Sequence, residues 1–197
     1  MKKTLSALSV VALLALSNQA QATPTEYAAA GTPNNVTYSF TATSTGNVIS
    51  YFAGSSAGYT NQIGLWVNGV DTGIYGLNNH TSTYGQSINF GSVNAGDILV
   101  FVLKMIDPNN VGPWYSDPTL NSDGINHIYS SPYSGDSSIP AGTYIGFEDF
   151  IDGGDHDYND ESFVFTNVTT NNVPEPGSLA LLGLGLAGLG FSRRRKA

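Results

Sequence analysis

The sequence predicts an all-β protein: a two-sheet β-sandwich, jelly-roll-like, flanked by an N-terminal signal helix and a short C-terminal transmembrane helix. Three observations carry this reading. Short runs of β-branched and aromatic residues recur along the chain, each bounded by Gly, Ser, Asn or Thr. Between Thr23 and Asn172 no stretch repeats its apolar residues at helical spacing. No internal period of about 20 to 50 residues is present, which disfavours a repeat solenoid.

The elements follow in order. Val36, Tyr38 and Phe40 alternate with Thr37, Ser39 and Thr41, the period of two expected of a strand with one buried face. Val48–Phe52 and Ile63–Val67 are the next runs. Asn68-Gly69 then separates Leu65-Trp66-Val67 from Val70, and both residues accept the positive φ that a two-residue hairpin turn requires. Gln86–Phe90, Ile98–Lys104, Thr143–Phe147 and Ser162–Val168 bring the total to about eight strands. The polar Thr169–Asn172 reads as a hinge, so the domain is expected to occupy residues 23–172, long enough for one core.

Both ends read as transport segments. Lys2 and Lys3 precede an apolar stretch from Ala7 to Leu16, and Ala20-Gln21-Ala22 is the small-x-small pattern that signal peptidase cuts. Residues 1–22 are therefore expected to be a signal peptide, with the mature chain starting at Thr23. At the other end Val173-Pro174-Glu175-Pro176 holds Glu175 extended between two fixed prolines. Ser178 to Phe191 is an apolar and glycine run, closed by Arg193, Arg194, Arg195 and Lys196. Basic residues favour the cytoplasmic side, which puts everything before Pro174 outside. At about 1.5 Å per residue the run reaches roughly 21 Å, against a hydrocarbon core of about 30 Å. That length suits transient retention better than permanent anchorage.

Residues 173–197 resemble the PEP-CTERM sorting signal of Gram-negative bacteria, with motif, apolar segment and basic end in the same order. The resemblance implies processing near Pro174-Glu175-Pro176 by exosortase, a membrane-embedded transpeptidase-like protease. It also implies transient membrane attachment through the C-terminal helix, then release to the cell surface or the extracellular space.

Leader and tail disguise the charge of what they carry. They hold six of the seven Lys and Arg, leaving Lys104, whereas fourteen of the fifteen acids lie between Thr23 and Asn172. A region with a formal charge of about −13 does not bind nucleic acid, because phosphate contacts need clustered bases. Its carboxylates must be solvated or must bind cations. The chain has no cysteine, which excludes disulfides, thiolate metal sites and a cysteine nucleophile.

Seven of the acids (Glu148, Asp149, Asp152, Asp155, Asp157, Asp160 and Glu161) fall within fourteen positions. Asp155-His156-Asp157-Tyr158-Asn159 alternates oxygen-bearing side chains with others, a spacing that lets ligands converge on one hard cation. Gly153-Gly154 supplies the backbone freedom of a tight loop. Ca²⁺ fits better than Mg²⁺, since it accepts many oxygens in flexible geometry. The loop is not an EF-hand, because Asp160 stands where that loop needs glycine. A solvated surface loop is the alternative reading.

The segment Gly146 to Phe165 is similar to the signature of the bacterial family called domain of unknown function 4114, G-F-E-D followed by G-G-D-x-D-[YF]-N-D and an apolar strand. The likeness extends through Ala95–Phe101 and Leu120–His127 to cover about residues 90–168. It implies a β-rich fold in which Glu148, Asp149, Asp155, Asp157, Asn159 and Asp160 form the defining cluster, here read as a Ca²⁺ site.

Function is read from the site and the aromatics. No nucleophile elbow, zinc-protease helix or phosphate-binding glycine loop is present, so a non-enzymatic role is expected. Trp114-Tyr115, between Pro113 and Asp117-Pro118, is the best placed pair for stacking on sugar rings. The protein is thus expected to act at the surface or in the extracellular matrix, with polysaccharide as a partner besides signal peptidase and exosortase. The alternatives are a secreted glycan-active enzyme using the acidic loop, and an ice-binding or adhesin-type module.

Overall fold

A computed structural model describes residues 26–108 and 111–173. The expected signal peptide with Ala20 and Ala22, the Pro174-Glu175-Pro176 motif and the apolar run 178–191, expected to be a helix, lie outside the described residues. Among the described residues no helix is long and apolar enough to cross a membrane.

The strands are β1 (Thr37–Ala42), β2 (Gly46–Ser55), β3 (Asn61–Val67), β4 (Val70–Gly76), β5 (Ser87–Val93), β6 (Ile98–Met105), β7 (Trp114–Tyr115), β8 (Ile128–Tyr133), β9 (Gly142–Phe147), β10 (Glu161–Thr166) and β11 (Val168–Val173). They form two antiparallel sheets, β11-β1-β6-β3-β4 with β7 beside β6, and β5-β2-β10-β9-β8. The chain crosses repeatedly from one sheet to the other, so the expected sandwich is the observed architecture. Only single 3-10 turns, Pro118–Leu120 and Ile151–Gly153, interrupt the strands.

Alternation along each strand decides what the sandwich buries. Tyr38, Phe40 and Ala42 of β1, Leu65 of β3, and Phe101 and Leu103 of β6 pack in one core with Val48 and Phe52 of β2 and Phe163 and Phe165 of β10 in the other sheet. Phe101 and Phe165 meet across the core with ring centroids 4.0 Å apart. Each such side chain contributes about 1.5–3 kcal/mol through its removal from water. Val36, expected on this face, precedes the strand and is exposed. In β10 residues 161–165 are all buried, because this strand is central and both its faces are covered. Val164 points away from the main core into a second cluster with Tyr133, Ile139 and Tyr144.

The Asn68-Gly69 turn forms as its residues require, with φ of 50° and 80° and with Val67 opposite Val70. The expected hinge does not. Thr169–Asn172 belongs to β11, paired with β1 from Ala42↔Val168 to Thr37↔Val173. Val-Thr-Thr has the β-branched composition of a strand, and β1 offers a vacant ladder. The Asn167 side chain fixes the preceding turn, accepting from Thr43 Oγ1 at 2.8 Å and from Ser44 N at 2.9 Å. The ordered domain therefore runs into the sorting motif at Val173. Strand β8 was not legible in advance because Pro132 argues against a strand; β8 is an edge, where a missing N–H costs little.

Candidate metal centre

Strands β9 and β10 are neighbours with Phe147 opposite Glu161, so residues 148–160 leave the sheet and return to the same place. The loop is compact because its backbone takes several left-handed conformations: Asp152, His156 and Tyr158 have φ of 61°, 59° and 55°. Gly154 has φ 54° and ψ −127°, which a side chain would not tolerate, and a Cβ there would stand 2.7 Å from Glu148 Oε2. Anchors offset the strain at Tyr158. This residue is buried, and its hydroxyl accepts from Asn34 N at 2.7 Å. Its carbonyl oxygen lies so near Gly146 that a Cβ there would come within 2.1 Å.

The loop brings carboxyl oxygens of Glu148, Asp155 and Asp157 within 4.8 Å of one another. Glu148 is 0 % exposed; Oε1 accepts from the Tyr158 amide, while Oε2 is buried with no hydrogen-bond partner. Burial pushes the Glu148 carboxyl up to about 8, the Tyr158 amide opposing this and Asp160, Asp155 and Asp157 adding to it. Asp157 is raised by burial and then by Asp155. No base offsets the group, for Lys104, the single Lys or Arg among the described residues, lies over the Tyr75 ring at 4.6 Å. A buried carboxyl group with one oxygen lacking a donor, grouped with two more carboxyl groups and no base, is the electrostatic setting of a hard divalent cation.

The remaining predicted ligands are placed differently. Asn159 is exposed and orients Asp157, donating from its backbone N to Oδ1 at 3.1 Å and from Nδ2 to Oδ2 at 2.5 Å. Asp149 and Asp160 stand in a neighbouring group, with the Asp149 amide donating to Asp160 Oδ2 at 2.9 Å. Burial raises both, Asp160 to about 6. Two residues outside the predicted ligand set complete this second group. Asn61 Nδ2 donates to Asp149 Oδ2 at 2.8 Å and also to Glu161 Oε1. Glu161 carried a signal, since an acid opens the otherwise apolar Ser162-Phe-Val-Phe run; Asn61, far away in sequence, carried none.

Trp114, expected at the surface, is buried at 0 % exposure between the sheets. Its ring stacks on His127 with centroids 3.9 Å apart and planes 9° from parallel, and Nε1 donates to the Asp149 carbonyl at 2.9 Å. Trp114 packs where it was expected to bind, because β7 lies against β6 and turns it inward. Tyr115 points the other way and stays half-buried in a surface pocket of about 340 Å³ with Trp66, Tyr75, Asp71 and Lys104. Trp66 and Tyr115 meet there at 5.0 Å, inclined by 67°.

A family model for the domain of unknown function DUF4114 matches residues 56–167, from just after β2 to just after β10. The chain belongs to the DUF4114 family. A second model, for the PEP-CTERM protein-sorting motif, matches residues 172–196. No curated protein and no solved structure matches the chain. The DUF4114 match begins well upstream of the likeness read from the sequence, so β3, β4 and β5 belong to the family's domain, and Asn61 with them. The sorting motif identifies an exported protein processed by exosortase. Strand β11 lies where this motif's match begins, which ties the DUF4114 sandwich directly to its sorting signal.

Proposed function

We propose that this DUF4114 protein is a non-enzymatic module of the cell surface or extracellular matrix whose loop 148–160 is held by Ca²⁺. One observation supports the ion above all: Glu148 is fully buried, its Oε2 has no donor, and one of its carboxyl oxygens lies within 4.8 Å of those of Asp155 and Asp157. The same burial removes Glu148 from contact with a glycosidic bond. Asp155, exposed, and Asp157, half-buried, give the ion its way in. Differential scanning calorimetry tests the reading. Millimolar Ca²⁺ is expected to raise Tm by several degrees, and Asp155→Asn or Asp157→Ala to reduce the rise. An unchanged Tm in the unsubstituted protein would sink the proposal.

Polysaccharide contact is assigned in this reading to the pocket of Trp66, Tyr75 and Tyr115. Two inclined rings beside a carboxylate and an ammonium group suit a sugar, whose apolar face stacks while its hydroxyls donate and accept. Retention on immobilised polysaccharide from the producing bacterium is expected to fall at least tenfold in Trp66→Ala. Equal retention of the variant, or none by the unsubstituted protein, would reject this surface.

A further inference from the structure

We infer that the acidic region holds a second divalent-cation site, separate from the Glu148–Asp155–Asp157 group, built from Asn61 of β3, Asp149 of the loop and Glu161 of β10. The three side chains come from different elements and are buried together, Asn61 and Glu161 at 0 % exposure and Asp149 at 4 %. Two of their oxygens, Asn61 Oδ1 and Glu161 Oε2, are buried with no hydrogen-bond partner. Such atoms are costly, since water is removed and nothing replaces it. A bound cation removes the cost at Glu161 Oε2.

The Asn61 amide shows how the site would work. Its Nδ2 donates to Asp149 Oδ2 at 2.8 Å and to Glu161 Oε1, so one NH₂ group bridges two carboxylates. The two ends of an amide have nearly the same shape, and a half-turn exchanges them. Turned, Asn61 places Oδ1 where Nδ2 now stands, within hydrogen-bond range of both carboxylates. Three oxygens so close repel one another unless a cation lies among them. Ca²⁺ accepts such a set, with carboxylate and amide oxygens at about 2.3–2.6 Å. Ion uptake and the orientation of Asn61 are thus one event. Asp160 supports the group from behind, since its Oδ2 accepts from the Asp149 amide at 2.9 Å.

The surroundings favour the ion further. Asn61 is fixed, its backbone N donating to Asn79 Oδ1 at 2.9 Å, and Asn79 in turn donates to the Tyr59 carbonyl at 2.7 Å. Asp149 is fixed through its carbonyl, which accepts from Trp114 Nε1 at 2.9 Å. A second ion here would tie β3 of one sheet to β10 of the other, joining the sheets at one end of the sandwich.

Isothermal titration of the purified protein with CaCl₂ is expected to give two ions per chain. Asp155→Asn and Glu161→Gln should each lower the count to one, and the double variant to none. Tb³⁺ luminescence sensitised through tryptophan should follow Glu161→Gln and not Asp155→Asn, because Trp114 is bonded to Asp149. One ion per chain, lost in Asp155→Asn and kept in Glu161→Gln, would overturn the second site and leave the first. One ion with the opposite pattern would support the second site and overturn the first, and no binding would overturn both. If Glu161→Gln does not fold, the count in the unsubstituted protein together with tryptophan-sensitised Tb³⁺ emission still decides.

Discussion

With EDTA present, the protein is expected to lose stability as pH rises from about 4.5 to about 8, opposite to the behaviour of a domain whose carboxylates are paired with bases. Glu148 drives this, because burial lifts its carboxyl from an ordinary 4.5 to about 8. Below pH 4.5 the group is neutral in both the folded and the unfolded chain. Between the two values the unfolded chain ionises it while the folded chain keeps the proton, so each step up in pH favours unfolding. At about 1.4 kcal/mol per pH unit, the loss from Glu148 alone is on the order of 4 kcal/mol by pH 8. Glu161, raised by burial, and Asp160, raised to about 6, shift stability in the same direction. For a domain of this size, that loss corresponds to roughly 2–4 °C of Tm per kcal/mol.

Saturating Ca²⁺ is expected to reverse the slope. A cation needs its carboxylates ionised, so its binding displaces their protons and strengthens as pH rises. At a hundredfold excess over Kd, a single bound ion adds about 2.7 kcal/mol. Thermal melts from pH 4.5 to 8, with EDTA and with Ca²⁺, are expected to diverge steadily. An EDTA profile that is flat or rises over this range would refute the assignment of Glu148 as a buried, unpaired carboxyl.

Trp114→Ala is expected to cost about 3–5 kcal/mol in urea denaturation, among the largest effects of any single truncation. The substitution removes the largest fully buried side chain, unstacks His127 and leaves the Asp149 carbonyl without its indole donor. Trp114→Phe separates these contributions. It keeps an aromatic ring beside His127 but orphans the carbonyl, for an expected loss of about 1–3 kcal/mol. Because that carbonyl belongs to Asp149, both variants should also weaken Ca²⁺ binding. A loss below about 1 kcal/mol in Trp114→Ala would show that the ring is not the core element that its burial implies.

The same residue shows where sequence reading stopped. Pro113 before Trp114-Tyr115 and Asp117-Pro118 after it look like an exposed loop, and nothing in that string records that a two-residue strand pairs with β6. The pairing sends Trp114 inward and leaves Tyr115 facing Trp66, which lies nearly fifty positions earlier. Thr169–Asn172 is a similar case. Polar residues next to a proline read as a hinge, yet β1 has a free side and β11 fills it. Conversely, Asn68-Gly69 was legible because a two-residue turn depends on local φ alone.

The acidic loop divides in the same way. Its composition, its glycines and the lack of bases were all visible in the sequence, and they pointed to a hard cation. Which acids meet depends on how the loop folds back, and that brings Glu148, Asp155 and Asp157 together while turning Asn159 into a support for Asp157. Asn61 could not have been associated with Asp149 and Glu161 from spacing, being separated from them by 88 and 100 positions.

By itself, then, the sequence determined the fold class, the acidity of the domain and the sorting signal at its end, because alternation, charge and terminal motifs are local or additive properties. Only the tertiary structure decided which carboxyl groups are buried, which of them are left without a donor, and which aromatic rings remain at the surface. Those outcomes depend on strands far apart in the chain packing against each other, and burial is what makes an ordinary acidic residue hold its proton until a cation displaces it.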